Sequence, residues 1–245
     1  MRASDGHARR LHLPDCLNAR DLGGLPATGR RSIRAGALIR SDSLQRLTPE
    51  SVAALRAWGV RRIVDLRSVE EVEEHPGPFA GDPIYRLSPL IDPVDDFDAD
   101  WAATQTISAI YRVSVERNAR FIATGLSAIA DAPPGPVVVH CAAGKDRTGM
   151  TVALALSLAG VPIDAIAEDY AFTEVCLRDI HDSRLAVLTD PAARRRLAES
   201  QSSRPETILD MLHHVRERYG DVAGYLLAHG CTRDHLASLR DRLRD

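Results

Sequence analysis

Apolar and polar positions along the 245 residues alternate between two kinds of segment up to about residue 140, and then settle into one. "GALIRS" (36–41) follows the turn "ATGRR" and reads as a short strand. "TPESVAALRAWG" (48–59) predicts a helix that starts at Thr48, has Pro49 in its first position and stops at Gly59. "VRRIVDLRS" and "IYRLSP" read as buried strands, so the order is strand, helix, strand, strand, an α/β pattern. Residues 107–132 read as two helices broken near Asn118, "PPGP" interrupts the chain, and Val137 to Val139 form a short central strand. From Thr148 onward the pattern is almost wholly helical. "TGMTVALALSLAG" is apolar nearly all round and predicts a buried helix. Further helices are expected from near Pro162, Pro191, Pro205, Asp221 and Thr232. Asp92 to Asp100 form an acidic connection, and no repeat or linker is visible.

Composition changes this picture little. The chain is 44% hydrophobic and 27% charged, which suits a globular fold able to bury a sizeable core. A net charge of -3 supplies no global field for nucleic acid or an anionic membrane, so any anion site must be local. Cys16, Cys141, Cys176 and Cys231 show no CxxC pair and no metal-ligand spacing, and a reducing compartment suits them. The N-terminus lacks the apolar core of a secretory signal, and the apolar stretch from Val152 to Val161 is too short to span a bilayer. A cytoplasmic protein without integral membrane association is expected, although export by another route leaves no mark in a sequence. The sequence carries no signal for oligomeric state.

The chemistry concentrates in "VVVHCAAGKDRTGM" (137–150). A strand, a tight loop and a helix in series turn the loop's N–H groups toward one point, where the helix N-terminus adds partial positive charge. Ala142, Ala143, Gly144, Lys145, Asp146 and Arg147 would line this phosphate-sized nest. A cysteine at its base, Cys141, sits where the field that binds an anion also favours a thiolate. Arg147 can fork two N–H groups onto two phosphate oxygens. Thr148 can hydrogen-bond the sulfur, and His140 can tune the nucleophile or fix the loop. A nucleotide-binding loop is a poorer reading, because Asp146 stands where that motif needs Ser or Thr. A sulfurtransferase also places a cysteine in an anion loop, but the Arg147-Thr148 pair and Gly144-Lys145-Asp146 look like the features of another family.

"HCAAGKDRT" carries the H-C-x5-R-[S/T] signature and resembles the cysteine-dependent phosphatases of the protein-tyrosine-phosphatase superfamily. "LNARDLGG", "IRSDSL", "IVDLRSVEE" and "AEDYAFTE" follow the order of a bacterial branch with a GKDR loop, the mycobacterial tyrosine phosphatase B type. The resemblance runs from about Leu11 to Leu243. It implies a cysteine-dependent phosphatase fold of α/β class, with a central, mostly parallel sheet of four or five strands, helices on both faces and a helical C-terminal cover. Residues 1–245 would form one domain, with the core and loop in about 11–160 and the helical part in 161–245.

The resemblance also implies hydrolysis of phosphomonoesters through a phosphocysteine, with phosphotyrosine, phosphoserine or phosphothreonine proteins, phosphoinositide lipids or small molecules as substrates. No cofactor or metal is expected, because Arg147 and the loop amides supply the positive charge. A phosphate-binding pseudoenzyme is disfavoured by the intact Cys141, Arg147 and Thr148. Lys145 is expected to touch a polyanionic substrate, against the alternative of a solvent-facing lysine paired with Asp146. Asp92 is the preferred general acid, with Asp146 the alternative and Asp95 and Asp96 weaker. Asp65 and Arg67 are expected to brace the loop or link a strand end. Asn18, Arg20 and Asp21 are expected to order the site or line its rim, and His213-His214 to be solvated surface.

Overall fold

The computed structural model describes residues 6–90 and 106–245. Its strands are β1 (Arg20–Asp21), β2 (Pro26–Ala27), β3 (Arg31–Ser32), β4 (Leu38–Ser41), β5 (Arg62–Asp65), β6 (Tyr85–Leu87) and β7 (Val137–His140). Five of them form a sheet in the order β1-β4-β7-β5-β6, and β2 pairs with β3 alone. β4, β7, β5 and β6 run parallel, while β1 is antiparallel to β4. The sheet is thus mostly parallel, as expected. β1, β2 and β3 are two residues each, too short for any alternation to announce them.

β7 lies at the centre, and its two neighbours are fully in register with it. Ser41 of β4 and Asp65 of β5 are both Cα partners of His140. The strand ends therefore line up, and the chain leaves β7 into the cysteine loop at their C-terminal edge, where parallel sheets commonly bind ligands.

The pleat sorts the core into two layers. Val137 and Val139 point to one side with Leu38 and Val64, and Val138 points to the other with Ile39 and Ile63. The second side is closed by Leu13, Leu55 and Phe79. Leu55 belongs to α1 (Pro49–Ala57), whose Thr48 cap accepts from Ser51 N–H. The first side is covered by α3 (Ile107–Arg117), α4 (Ala119–Ala130) and α5 (Asp146–Leu158). Asn118 separates α3 from α4, as the sequence suggests. α5 is buried nearly all round, consistent with a segment that is apolar over most of its length.

One helix was not anticipated. α2 (Val69–Glu74) follows β5 and is opened by a capping box, with Ser68 Oγ accepting from Glu71 N–H and Glu71 accepting from Ser68 N–H. The pattern "SVEE" carries that signal, since Ser followed three residues later by Glu satisfies two orphan donors reciprocally.

The remaining helices are α6 (Ile163–Ala186), α7 (Pro191–Gln201), α8 (Pro205–Tyr219), α9 (Val222–Ala228) and α10 (Arg233–Leu243). α8 packs on α3 and α6, and α10 packs on α4 and α5. His214 of α8 is not free surface: its Nε2 lies 2.8 Å from Glu116 of α3. No helix among the described residues is long and apolar enough to cross a membrane.

α5 joins the loop to the core, so its packing should govern stability. Leu154, fully buried in α5, is expected to cost about 2–5 kcal/mol when truncated to Ala. The denaturation midpoint of Leu154→Ala checks this.

Candidate active site

The loop after β7 is shaped by what holds its carbonyl groups. Ala142 O accepts from Ser43 N–H at 2.9 Å. Ala143 O accepts from Asn18 Nδ2 at 3.0 Å. Gly144 O accepts from Asn18 Nδ2 at 3.1 Å and from Arg40 Nη2 at 2.7 Å. In a trans peptide the N–H of the next residue points opposite to the carbonyl. Tying back these three carbonyls therefore turns the N–H groups of Ala143, Gly144 and Lys145 the other way, to the inside of the loop. Gly144 has φ +65, and a Cβ there would sit 2.4 Å from Ser41 O, so only glycine lets the loop lie this close to β4.

The donors that hold the carbonyls are themselves held. Asp42 accepts from the N–H groups of Leu17 and Asn18, each at 3.0 Å. Arg20 Nη1 donates to Asn18 Oδ1 at 2.6 Å, which leaves Asn18 Nδ2 for the loop. Behind them is Asp169 of α6, whose carboxylate takes Arg9 at 2.9 Å, Arg20 at 3.1 Å and Arg40 at 2.8 Å. Arg20, Arg40 and Asp169 are all essentially inaccessible to solvent. Burial works against the charge of Asp169, but the three arginines overcome it and hold the carboxyl far below the usual range. Burial and the neighbouring Arg20 push Arg40 down to about 10, so it still carries its charge at neutral pH.

Asn18 and Arg20 thus order the loop from behind and do not line its rim. The Asp21 carboxylate does not reach the loop: it accepts from Gly23 N–H and Gly36 N–H and fixes a turn after β1, while the Asp21 carbonyl accepts from Arg9 at 3.2 Å.

On the β5 side, Asp65 accepts from the N–H, Nε and Nη2 groups of Arg67 and from Tyr85 OH. Its Oδ2 lies 3.6 Å from His140 Nε2. His140 Nδ1 faces Cys141 O at 3.2 Å, and a carbonyl only accepts, so Nδ1 carries a proton. Burial lowers the His140 pKa against the pull of Asp65. Arg67 Nη1 donates to Gln45 and to His75 O, completing a strand-end brace under the loop.

Cys141 is 2% exposed. Arg147, in the first turn of α5, is gripped by Glu71: Nη1 bonds Oε2, and Nη2 bonds Oε1 at 2.9 Å. Nη1 also faces Leu66 O at 3.5 Å. Of its five N–H groups, the Nε–H and one Nη2–H remain, and these lie along one edge as a fork for two oxygens. Glu71 pays for its part-burial through Arg147, whose hydrogen bonds and charge keep the carboxyl below its usual pKa. Thr148 Oγ1 is buried and makes no hydrogen bond among the described residues, so the expected bond to sulfur is not made here.

Lys145 is 3% exposed, so it is not solvent-facing. Its Nζ bonds Ser200 O near the end of α7 and lies 3.2 Å from Asp146 Oδ1. Asp146 also accepts from Tyr111 OH at 2.8 Å. Asp92, Asp95 and Asp96 lie outside the described residues. Among the described residues no group of His, Cys, Asp and Glu is placed to hold a metal ion.

Sequence reasoning gave no role to Arg40, Asp42, Asp169 or Glu71. The first three sit inside "IRSDSL" and "AEDYAFTE", but polar residues within apolar segments do not say which partner they bury against. Glu71 was readable from its capping box.

A family model described as the tyrosine phosphatase family matches residues 11–245. The "Triple specificity protein phosphatase PtpB" of Mycobacterium tuberculosis is 30% identical over 257 residues, covering 87% of this chain and 91% of that protein. A "Tyrosine-protein phosphatase" of Nostoc commune is 29% identical over 231 residues, covering 89% and 78%. Among solved structures, TpbA of P. aeruginosa matches 81% of this chain and 89% of its own at 19% identity, with a TM-score of 0.34.

The Asp169 cluster makes a testable claim. Asp169→Asn leaves buried arginines without their counter-charge, and a loss of about 3–5 kcal/mol is expected. Because the folded state depresses the Asp169 pKa, its contribution is complete above about pH 4 and fades as pH falls below that. Melting curves across pH should show the acid-side slope reduced in Asp169→Asn, along with lower stability at neutral pH.

Proposed function

The chain belongs to the tyrosine phosphatase family, and from that premise we propose that it hydrolyses phosphomonoesters by way of a phosphocysteine on Cys141. The observation that carries this reading is the loop whose carbonyls are tied outward by Ser43, Asn18 and Arg40. The N–H groups of Ala143, Gly144 and Lys145 and the open edge of Arg147 then surround the space where three phosphoryl oxygens would sit. Such pre-arranged donors stabilise charge without reorganising during the reaction.

In the first step Cys141 Sγ, as thiolate, attacks phosphorus, and the bond to the leaving oxygen breaks. Asp92 gives that oxygen its proton, a contribution typically worth about 10²–10⁴-fold. The Asp92 carboxylate left by that transfer takes a proton back from water as the water oxygen attacks phosphorus, the P–S bond breaks, and its electron pair returns to sulfur. Thr148 Oγ1, buried without another partner among the described residues, is the hydroxyl available to sulfur as charge returns to it. His140, clasped between Cys141 O and Asp65, fixes the base of the loop. Arg147 and the amides supply the positive charge that a metal would supply elsewhere.

Phosphotyrosine is the first substrate to test. The words "triple specificity" in the name of the mycobacterial relative support a breadth beyond one substrate class, and phosphoserine, phosphothreonine and phosphoinositides are the next classes to test. Lys145 would serve that breadth by releasing Ser200 O to meet a second phosphate.

Cys141→Ser is expected to abolish phosphate release from phosphotyrosine peptides while still binding inorganic phosphate. Retained turnover, or a strict magnesium requirement in the native protein, would overturn the mechanism. Asp92→Asn is expected to lose most activity on phosphotyrosine, whose leaving group is poor, and much less on p-nitrophenyl phosphate. Equal losses on the two would remove Asp92 from the acid role.

A further inference from the structure

The end of the sheet opposite Cys141 carries a second cationic feature. β4 and β7 run in register from Leu38 and Val137 to Ser41 and His140, so the chain enters both strands about 13 Å below the loop, at roughly 3.3 Å per residue. A cavity of about 450 Å³ opens at that entrance, a size within the range of about 300–1,000 Å³ usual for small-molecule sites. Three pieces of chain wall it: the turn from Arg34 to Ala37 before β4, the "PPGP" turn before β7, and Ser238, Asp241 and Arg242 of α10.

Each wall is fixed to the next. Gly36, at φ +74, donates its N–H to Asp21 Oδ2 at 2.8 Å, so Asp21 sets one rim of the cavity. Arg34 N–H donates to Leu243 O at 2.7 Å and ties the first turn to α10. Arg242 Nη1 donates to Gly135 O at 2.9 Å, and its Nη2 donates to Pro133 O at 3.2 Å and to Ala132 O. α10 is thereby tied to the "PPGP" turn.

The charge of these walls is not balanced. Arg34 Nη2 donates to Arg244 O at 2.7 Å, and the other N–H groups of its guanidinium have no partner among the described residues. Arg242 Nε is buried without a partner among the described residues, as is Nε of Arg62 at the start of β5. Asp241 is the one carboxylate in the wall, and among the described residues it pairs with neither arginine. Burial, and then the like charges of Arg34 and Arg62, lower the Arg242 pKa. Capping the carbonyls after α4 accounts for the contacts of Arg242. It does not account for Arg34, whose guanidinium reaches a single carbonyl. Carbonyl oxygens accept hydrogen bonds but bring no net charge, whereas a phosphate brings both, and guanidinium groups match its geometry. The remaining wall, Ala35, Ala37, Ala130, Pro134 and Pro136, presents hydrocarbon.

We propose that this cavity binds a small organic phosphate, with its phosphoryl group on Arg34 and Arg242 and its body against the alanines and prolines. The ligand is not a substrate of Cys141, which lies at the other end of β7. It joins the three pieces of chain from which β4 and β7 start, and so stabilises the base of the strands that lead to the loop. The inference is independent of the phosphocysteine reading.

Adenosine monophosphate is the probe. Arg147→Met takes the guanidinium from the catalytic loop, so calorimetric titration of that variant reads the lower cavity, and one nucleotide per chain is expected to bind. Adding Arg34→Gln or Arg242→Gln should weaken binding roughly 10- to 100-fold, the effect of losing a charge-assisted hydrogen bond. Ser238→Trp, which fills the cavity without removing a charge, should abolish it. Arg34→Gln and Ser238→Trp alter exposed side chains, so they keep the test valid if Arg242→Gln fails to fold. No binding to Arg147→Met, or binding that survives both Arg34→Gln and Ser238→Trp, would overturn the site. Orthophosphate bound as tightly as the nucleotide would overturn the organic body. With Arg147 in place, Arg34→Gln should turn over p-nitrophenyl phosphate with native kcat/KM, and a large loss would overturn the separation of the two sites.

Discussion

Asp169 takes hydrogen bonds from three arginines on the N-terminal third of the chain, and two of these, Arg20 and Arg40, lie wholly out of water. Neither arginine touches the inside of the loop. Arg40 ends on the Gly144 carbonyl and Arg20 on Asn18, which reaches that same carbonyl and the one before it, of Ala143. The orientation of two peptide planes, and so of the inward N–H groups of Gly144 and Lys145, depends on a carboxylate one layer behind. Burying such a cluster is costly, and its stability contribution is small compared with what breaking it would forfeit. Its value is geometric, since loop amides can bind an anion strongly only if they are fixed before it arrives.

The opposite side of the loop obeys a different logic. Asp65, Arg67 and His140 hold the end of the sheet, while Glu71 holds Arg147 by two of its N–H groups and leaves an edge open. A flexible guanidinium is thereby confined to one plane before any ligand arrives. α2 exists to deliver Glu71: the carboxylate that caps the helix through Ser68 N–H is the one that grips Arg147.

The sequence made the sheet, the order of most helices and the strand-loop-helix around Cys141 legible for clear reasons. β4, β5 and β7 are largely buried and centre on short apolar runs, Leu38-Ile39, Ile63-Val64 and Val137 to Val139, and α5 reads as apolar nearly all round. Proline and Asx or Ser/Thr caps marked the C-terminal helices. What stayed hidden involved distance along the chain. No local pattern ties Asn18 to Gly144 or Arg20 to Asp169, so the same residues could be read as rim, brace or surface. Asp21 illustrates the limit: it sits beside Arg20 in "NARDLGG", yet its carboxylate closes a turn with Gly23 and Gly36. Lys145 illustrates another, since its burial under Ser200 is decided by a helix that begins 46 residues later.

The same separations give the site a history. Asn18 meets Gly144 across 126 positions, Arg20 meets Asp169 across 149, and Arg9 meets it across 160. Contacts of such long range form late, because the entropy of closing the intervening chain must be met first. On a ribosome, where the N-terminus emerges first, Asn18 and Arg40 wait for a loop synthesised a hundred residues afterwards. Cys141 then appears before α6 has supplied Asp169. The loop carbonyls are fully tied only once the N-terminal segment and α6 have closed behind them, so the anion site proposed for this loop takes shape at the end of folding and not during it.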